Sequence, residues 1–264
     1  MRDKLDRAHA KEREQRTQVR WAGLLAAFLF PALGGLLFGY DIGATSFVLV
    51  QLQDPTASGV TWSGAVASSP LLQGAITSSS VGGAFCAALV VFSVADVLGR
   101  RREMLIAGAL YIVGALLEAA SGAPAYRAGS GLALLMAGRW LYGIGCGFAT
   151  HAAPAYIAEM SPPHLRGTLV SLKEAMIVFG MLVGYGAGYA FRPHIGGWRY
   201  TYGLSALLAL TYLVGMYFLP PSARWLVSRG RVEDARASLR FTMSGGVDAT
   251  LRAIVEQADD EARA

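Results

Sequence analysis

One carboxylate lies deep inside a long apolar segment. Asp41 falls in the stretch Leu36–Ser46, within an apolar run that begins near Trp21 and continues past it to Leu52. An ionisable group at membrane depth is expensive, so such residues mark transport pathways, proton relays or counter-ions. The alternative is that Asp41 lies in the first loop, at the water interface. The apolar residues on both sides favour the buried position, and we predict that Asp41 is a functional carboxylate.

The second charge is Arg139, which opens or lies within a later apolar run. A buried arginine and a buried aspartate can share a helix bundle only if they compensate each other or water reaches them. If they pair, protonation of Asp41 releases Arg139, which couples a proton to a change of shape. The alternative is that Arg139 extends its side chain to an interface.

The remaining polar groups do not point to an enzyme. His151 has no evident partner, and Cys86 and Cys146 have no second cysteine or histidine at ligand spacing. We predict no metal site, no cofactor and no catalytic residue. Glu174 follows Lys173 near the predicted start of an apolar run. It is either half of an interfacial ion pair or a hydrogen-bond acceptor, or second titrating group, in a central cavity.

The composition identifies the protein class that must position these groups. The chain is 54% hydrophobic and only 16% charged, with 32 glycines, whereas a soluble domain carries about a quarter charged residues. The net charge of +5 does not indicate nucleic-acid binding, because the basic residues lie in short segments between apolar runs. This pattern predicts an all-α polytopic membrane protein.

Six near-uncharged runs have the length of membrane spans. Glycines recur every fourth residue in the first and fifth of them, which predicts seams where helices approach closely. The Gly143-x-Gly145-x-Gly147 pattern lies within an apolar run and is therefore assigned to helix packing rather than to a nucleotide loop. The predicted spans are Trp21–Leu52, Ser69–Val94, Met104–Ser121, Gly131–Ala158, Ser171–Phe191 and Tyr200–Pro220.

Basic residues predict the orientation. Of the 23 Lys and Arg residues, only Arg127, Arg192 and Arg199 lie between spans on one side, and Arg139 lies within a span. The excess on the other side places both chain ends in the cytosol. The predicted organisation is a cytosolic basic tail over 1–20, six spans over 21–220, and short amphipathic cytosolic helices over 221–264.

Arginines also stand at three successive cytosolic ends, in a loop over 96–103, in the 159–173 connection and after Pro220. Arginine forms bidentate, orientable pairs, so such clusters can hold helix ends together and separate as a unit. The alternative is that they only determine topology. We predict a latch, whose members are Asp96, Arg100, Arg101, Glu159, Arg166 and Arg224.

An ordered set of motifs resembles the sugar porter family of the major facilitator superfamily. The set is Gly39-Tyr-Asp41, Asp96-x-x-Gly-Arg-Arg101, Gly138-Arg139, Tyr156-Ile-Ala-Glu159 through Leu165-Arg166-Gly167, Gly197-Trp-Arg199 and Pro220 to Leu226. The stretch Ser171-Leu-Lys-Glu174 is most similar to the xylose–proton-symporter-like branch, which includes plant plastid and vacuolar members.

The resemblance implies a twelve-helix transporter of two halves, each an inverted pair of three-helix repeats. This chain covers the first half and the helices that lead to a missing second half. Asp41 matches the family's proton-coupling aspartate and Arg139 its partner. Glu174, Phe38 and Met181 are the expected substrate-binding positions, although glutamine is common in the family where Glu174 and Met181 stand.

The sequence therefore predicts the N-terminal half of a proton-coupled monosaccharide transporter for a hexose or pentose. Its partners would be the sugar, a proton, the lipid bilayer and the second half, and its membrane would be the plasma membrane, the vacuole or the plastid envelope. The alternatives are a facilitative sugar carrier and a non-transporting sugar sensor.

Overall fold

The computed structural model describes residues 19–124 and 128–263. The tail up to residue 18 and Arg127, which entered the orientation argument, lie outside the described residues. Within those ranges the chain is helical apart from turns and one isolated bridge between Val19 and Met243. The helices are α1 (Trp21–Gln53), α2 (Pro55–Ser58), α3 (Ser63–Ser68), α4 (Pro70–Leu98), α5 (Arg100–Ala120), α6 (Ala128–Met160), α7 (Pro163–Phe191), α8 (Gly197–Phe218), α9 (Ala223–Ser228), α10 (Val232–Thr242) and α11 (Val247–Arg263).

Six of the described helices, α1 and α4 to α8, are long and apolar enough to cross a membrane. The prediction of six spans is confirmed. The predicted loop over residues 96–103 is wrong, because α4 continues to Leu98 and α5 begins at Arg100. Gly99 makes the turn by itself, with φ 76°, a conformation that side chains with a Cβ rarely adopt.

The fifth span begins earlier than its apolar run. Helix α7 starts at Pro163 instead of Ser171, and proline at the first helical position needs no hydrogen-bonded amide. The first turns of this helix, between Pro163 and Ser171, contain polar residues, so the apolar run does not include them. As a result Lys173 and Glu174 lie about three turns inside the helix, not at its beginning.

The six long helices pack in a symmetric pattern. Helix α1 runs along α7 and contacts α8, while α4 runs along α6, which also contacts α5. Helices α5 and α8 contact each other, as do α1 and α6. This pattern is unchanged when the first three long helices are exchanged for the last three, which is the packing expected of two inverted three-helix repeats.

Glycines bring α1 and α7 into backbone contact. A Cβ on Gly39 would collide with the carbonyl oxygen of Ile177, and one on Gly184 would lie 2.7 Å from the Ala44 amide nitrogen. The two predicted glycine stripes therefore face each other. Since Asp41 lies off this seam, its side chain is directed to the other side of α1.

One end of the bundle, here termed the arginine-rich face, carries the α4–α5 turn, the α6–α7 turn and helices α9 to α11. These three helices enclose their own small apolar cluster, which includes Leu226, Leu239 and Leu251. Helix α9 was not foreseen from the sequence. Trp225 connects the cluster to the bundle, because its indole nitrogen donates to the Asp96 carbonyl at 3.1 Å.

Candidate functional site

Asp41 lies well inside α1, with 4% of its surface exposed. It is therefore part of the helix and not of the first loop. The Ser80 hydroxyl of α4 donates to Asp41 Oδ2 at 2.7 Å, and the Thr45 hydroxyl, one turn along α1, donates to Oδ1 at 3.4 Å. The carboxylate is thus held by two helices before any charge is considered.

Arg139 of α6 pairs with this carboxylate. Its side chain is 1% exposed, with Nη1 3.1 Å from Asp41 Oδ1 and Nη2 3.3 Å from Oδ2. This is the bidentate geometry in which arginine binds carboxylates most strongly. The guanidinium does not reach an interface, so the pair is internal.

Hydroxyl and carbonyl oxygens complete the environment of Arg139. Nε donates to Ser79 Oγ at 3.2 Å and to the Ile76 carbonyl, and Nη1 donates to Tyr202 Oη at 2.8 Å. Nη1 also donates to Thr45 Oγ1 at 2.9 Å and Nη2 to Ser80 Oγ at 2.9 Å. The guanidinium therefore ties α6 to α1, α4 and α8 at one point. Loss of one partner from such a buried pair is destabilising by about 3–5 kcal/mol.

A second carboxylate, Glu118 of α5, lies at the same site. It is 0% exposed and its Oε1 is 3.9 Å from Arg139 Nη1. Neither of its carboxyl oxygens has a hydrogen-bond partner among the described residues. Sequence reasoning missed Glu118, although a lone acid inside an apolar span was the signal that found Asp41.

A further polar cluster joins α5 and α6 nearer the arginine-rich face. Glu103 is fully buried, and its Oε2 lies 2.9 Å from His151 Nδ1. Its Oε1 accepts from Arg100 at 3.3 Å, and Arg100 Nε lies 3.8 Å from Glu159 Oε1. Arg100 is therefore the centre of the contacts that join the two helix ends.

The other predicted latch residues are placed differently. Asp96 is 95% exposed and reaches Arg100 only at 3.9 Å. Arg101 donates to the Tyr217 carbonyl, and Arg224 donates to Gln257 Oε1 at 2.6 Å. Arg166 is exposed and has no ion pair within the part of the chain that the structure describes. Of the six predicted latch residues, Arg100 therefore contacts Asp96 and Glu159, and Glu103 joins this group. Arg224 also interacts electrostatically with Glu159. The role of these residues as a latch stays a prediction.

The predicted substrate-binding residues lie on α1 and α7. Phe38 and Met181 are half-buried. Glu174 is 60% exposed and its Oε1 lies 2.6 Å from Lys173 Nζ, whereas the Lys173 side chain is buried beside Gly35. The role of these residues in binding a sugar stays a prediction.

Family membership follows from a match over almost the whole chain. The profile of the family described as "Sugar (and other) transporter" matches residues 27–264. The chain belongs to the sugar transporter family. The predicted resemblance is confirmed.

Several curated members of the sugar transporter family are similar in sequence. D-xylose-proton symporter-like 3, chloroplastic, of Arabidopsis thaliana is 48% identical over 85% of this chain and 39% of its own length. D-xylose-proton symporter-like 2 of the same plant is 48% identical over 79% of this chain and 40% of its own length. Glucose transporter GlcP of Staphylococcus epidermidis is 39% identical, with 81% of this chain and 44% of that protein covered.

Solved structures show the same fold. The proton:xylose symporter XylE bound to 6-bromo-6-deoxy-D-glucose aligns with a TM-score of 0.79 and 28% identity, over 90% of this chain and 54% of that chain. A partially occluded inward-open XylE from E. coli aligns with a TM-score of 0.77 and 28% identity, over 91% of this chain and 60% of that chain. The described helices therefore form an all-α half of a major facilitator superfamily transporter, and the chain spans about two-fifths of the length of these curated relatives.

Proposed function

We propose that this chain is the N-terminal half of a proton-coupled monosaccharide transporter, in which Asp41 binds the proton. The observation that carries the proposal is the buried, bidentate pair of Asp41 and Arg139 at a point where four helices meet. The names of the relatives, D-xylose-proton symporter-like proteins and a glucose transporter, support the class of substrate. A buried acid in a membrane span marks an ion pathway, a proton relay or a counter-ion, which favours coupled transport over a carrier without a proton.

The arginine-rich face is proposed to lie in the cytosol, with both ends of the chain. The arginines of the α4–α5 turn and of helices α9 to α11 support this orientation, because cytosolic segments of membrane proteins carry an excess of Lys and Arg. The opposite end, with α2 and α3, then faces away from the cytosol.

Proton uptake is proposed to loosen the site. When Asp41 is ionised, the guanidinium of Arg139 holds α6 against α1 through two charge-assisted hydrogen bonds. When Asp41 is protonated, this attraction weakens and Arg139 can move. Because this ion pair joins α1 to α6, its weakening shifts the equilibrium toward a conformation in which the two three-helix repeats contact each other differently.

Sugar binding and the change of access require the second half. Sugar is proposed to bind near the middle of the membrane, with Glu174 as one hydrogen-bond acceptor and with Phe38 and Met181 beside it. The two halves then rock about the sugar. The contacts of Arg100 with Glu103 and Glu159 separate, the site opens to the cytosol, and Asp41 releases its proton there.

The test is uphill transport by an Asp41→Asn variant. The chain is joined to the second half of D-xylose-proton symporter-like 2 and reconstituted in proteoliposomes, with labelled D-xylose and D-glucose as substrates. We expect the variant to lose accumulation against a gradient, because the amide cannot take up the proton, while exchange of internal for external sugar continues.

The matched control is Asp54→Asn. Asp54 is an exposed acid just beyond α1, and the hydroxyl and amide of Thr56 lower the pKa of its carboxyl. Asparagine also caps helices, so this variant keeps normal uptake. Accumulation that survives in Asp41→Asn would remove the proton role from Asp41, and sugar binding without any flux in the unmodified protein would favour the sensor.

A further inference from the structure

We propose that Glu118 is a second proton-carrying group of this site and the alternative counter-ion of Arg139, so that Asp41 and Glu118 share one proton and compete for the guanidinium. The proposal rests on the function proposed above and deepens it. In the structure Arg139 is bound to Asp41, and Glu118 lies 3.9 Å away without a hydrogen bond among the described residues.

Close helix packing puts Glu118 at this point. A Cβ on Gly138 would lie 2.9 Å from Glu118 Cγ and 2.9 Å from the Gly114 carbonyl oxygen, so α5 and α6 meet backbone to backbone beside Arg139. The packing of the two helices holds the carboxyl near the guanidinium, and Glu118 is 0% exposed.

The hydrogen bonds of Arg139 show which of the two carboxylates it is paired with. A guanidinium has five N–H groups. Those of Arg139 are directed at Asp41, three hydroxyls of α1 and α4, the Tyr202 hydroxyl and the Ile76 carbonyl. None is left for Glu118. An ionised carboxylate without a hydrogen bond is strongly disfavoured in a buried site, so Glu118 keeps its proton while Asp41 holds Arg139.

The charges around Glu118 come from three other helices. Asp41 faces it from α1, Arg139, Tyr142 and Cys146 from α6, and Tyr202 from α8. From α4 the site receives the neutral hydroxyls of Ser79 and Ser80. One cation therefore faces two acids, and the site is electrically neutral when it carries one proton.

The proton can occupy either acid. With the proton on Glu118, Asp41 is ionised and paired, as in the structure. With the proton on Asp41, Glu118 is ionised, and Arg139 Nη1 needs to move only about 1 Å to reach hydrogen-bond distance from Oε1. The net charge is the same in both arrangements. Uptake through Asp41 adds this one proton to a site in which both acids are ionised, and release from Asp41 removes it again. Protonation of Asp41 therefore does not leave Arg139 unpaired in the membrane.

Infrared spectroscopy of the chain in lipid nanodiscs tests the shared proton without any transport. We expect the carbonyl band of one protonated carboxyl near neutral pH that is lost in Glu118→Gln. We also expect this band to be lost in Asp41→Asn, because Arg139 is then free to pair with Glu118 and ionise it. A Glu118 band that persists in Asp41→Asn, or that is absent from the unmodified protein, would overturn the proposal.

Transport tests the consequence for coupling, in the joined two-half protein. The isosteric change Glu118→Gln removes the negative charge that Glu118 carries when the proton is on Asp41, and with it the alternative partner of Arg139. We expect the pH of half-maximal accumulation to fall by about one unit or more, which is a tenfold lower proton affinity. Glu118→Asp, which keeps the carboxylate, should restore most of the shift.

The two measurements separate the proposals. An unchanged pH profile in Glu118→Gln would contradict a role for Glu118 in coupling. If the infrared results are as expected but no variant or unmodified protein accumulates sugar, the shared proton stands and the transport function proposed above fails.

Discussion

At the scale of single residues, Arg139 is positioned by uncharged groups as much as by Asp41. The Tyr202 hydroxyl accepts from Nη1 at 2.8 Å, and the guanidinium carbon lies 5.7 Å from the centre of the Tyr202 ring. The hydroxyl holds the guanidinium in the orientation in which both Nη atoms meet the carboxylate. A site of this kind is specific because each buried donor has an acceptor.

Tyr202→Phe removes this acceptor and keeps the ring. We expect a loss of about 1–3 kcal/mol of stability, because one N–H of the buried guanidinium loses a partner. Thermal unfolding of the purified protein in detergent measures this as a lower Tm. Tyr200→Phe is the control, since Tyr200 is exposed on the same helix. Equal Tm values for the two variants would contradict the role given to the Tyr202 hydroxyl.

The charged part of the site could be predicted from the sequence, and the uncharged part could not. Asp41 and Arg139 stand out because each is an isolated charge in an apolar run. The hydroxyls of Ser80 and Tyr202 are of a kind common in membrane helices, and their part in the site depends on which helices meet. Glu118 carried the same signal as Asp41 and was overlooked.

At the scale of helices, glycine determines how closely the elements approach. Along α1 and α7, four glycines lie against backbone atoms of the other helix: Gly39, Gly43, Gly180 and Gly184. Without a hydrophobic driving force between helices in lipid, such close packing supplies much of the attraction. The seam also fixes the rotation of α1, and it thereby directs Asp41 toward α6.

Gly184→Val tests this seam. A Cβ at this position would lie 2.5 Å from the Tyr40 carbonyl oxygen and 2.7 Å from the Ala44 amide nitrogen, so α1 and α7 must separate. We expect a destabilisation of about 1–3 kcal/mol or more, seen as a lower Tm and loss of folded protein. Gly186→Val is the matched control, because nothing lies within 4 Å of a Cβ there. Equal behaviour of the two variants would argue against the seam.

The number and order of the spans could be predicted, and their ends could not. Apolar runs record the part of a helix that lies in lipid, whereas α4, α5 and α7 continue beyond it as helices with polar residues. The turn at Gly99 and the start at Pro163 were visible as residue types. Only the structure shows that the charged residues that follow Gly99 and Pro163 belong to helices α5 and α7.

At the scale of the whole molecule, the described helices form one half of a transporter fold with surfaces for a further partner. Large apolar side chains of α4 and α7 are exposed, among them Phe85, Phe92, Phe179 and Leu182. Lipid or a second half can cover them. At the arginine-rich face the pair of Arg100 and Glu159 joins the ends of α5 and α6 in the structure.

Arg100→Gln should loosen this face. The change removes the ion pairs with the fully buried Glu103 and with Glu159, so two largely buried carboxylates lose a charged partner. We expect amide hydrogen exchange at residues 99–103 to rise severalfold. Arg166→Gln, an exposed arginine on the same face, should leave the exchange unchanged. A rise that is equal in both variants would show a general charge effect instead of a specific connection.

The indole of Trp225 gives this molecule an optical probe of its own. The ring lies against the turn at Gly99, and its indole nitrogen donates to the Asp96 carbonyl. The guanidinium carbons of Arg102 and Arg229 lie 5.7 and 5.8 Å from its centre, in cation–π contact. The emission colour of an indole depends on the charges beside it. Any displacement of α4 and α5 relative to α9 would therefore change the contribution of Trp225 to the fluorescence of the five tryptophans, and the proposed movement could be followed in real time without an attached dye.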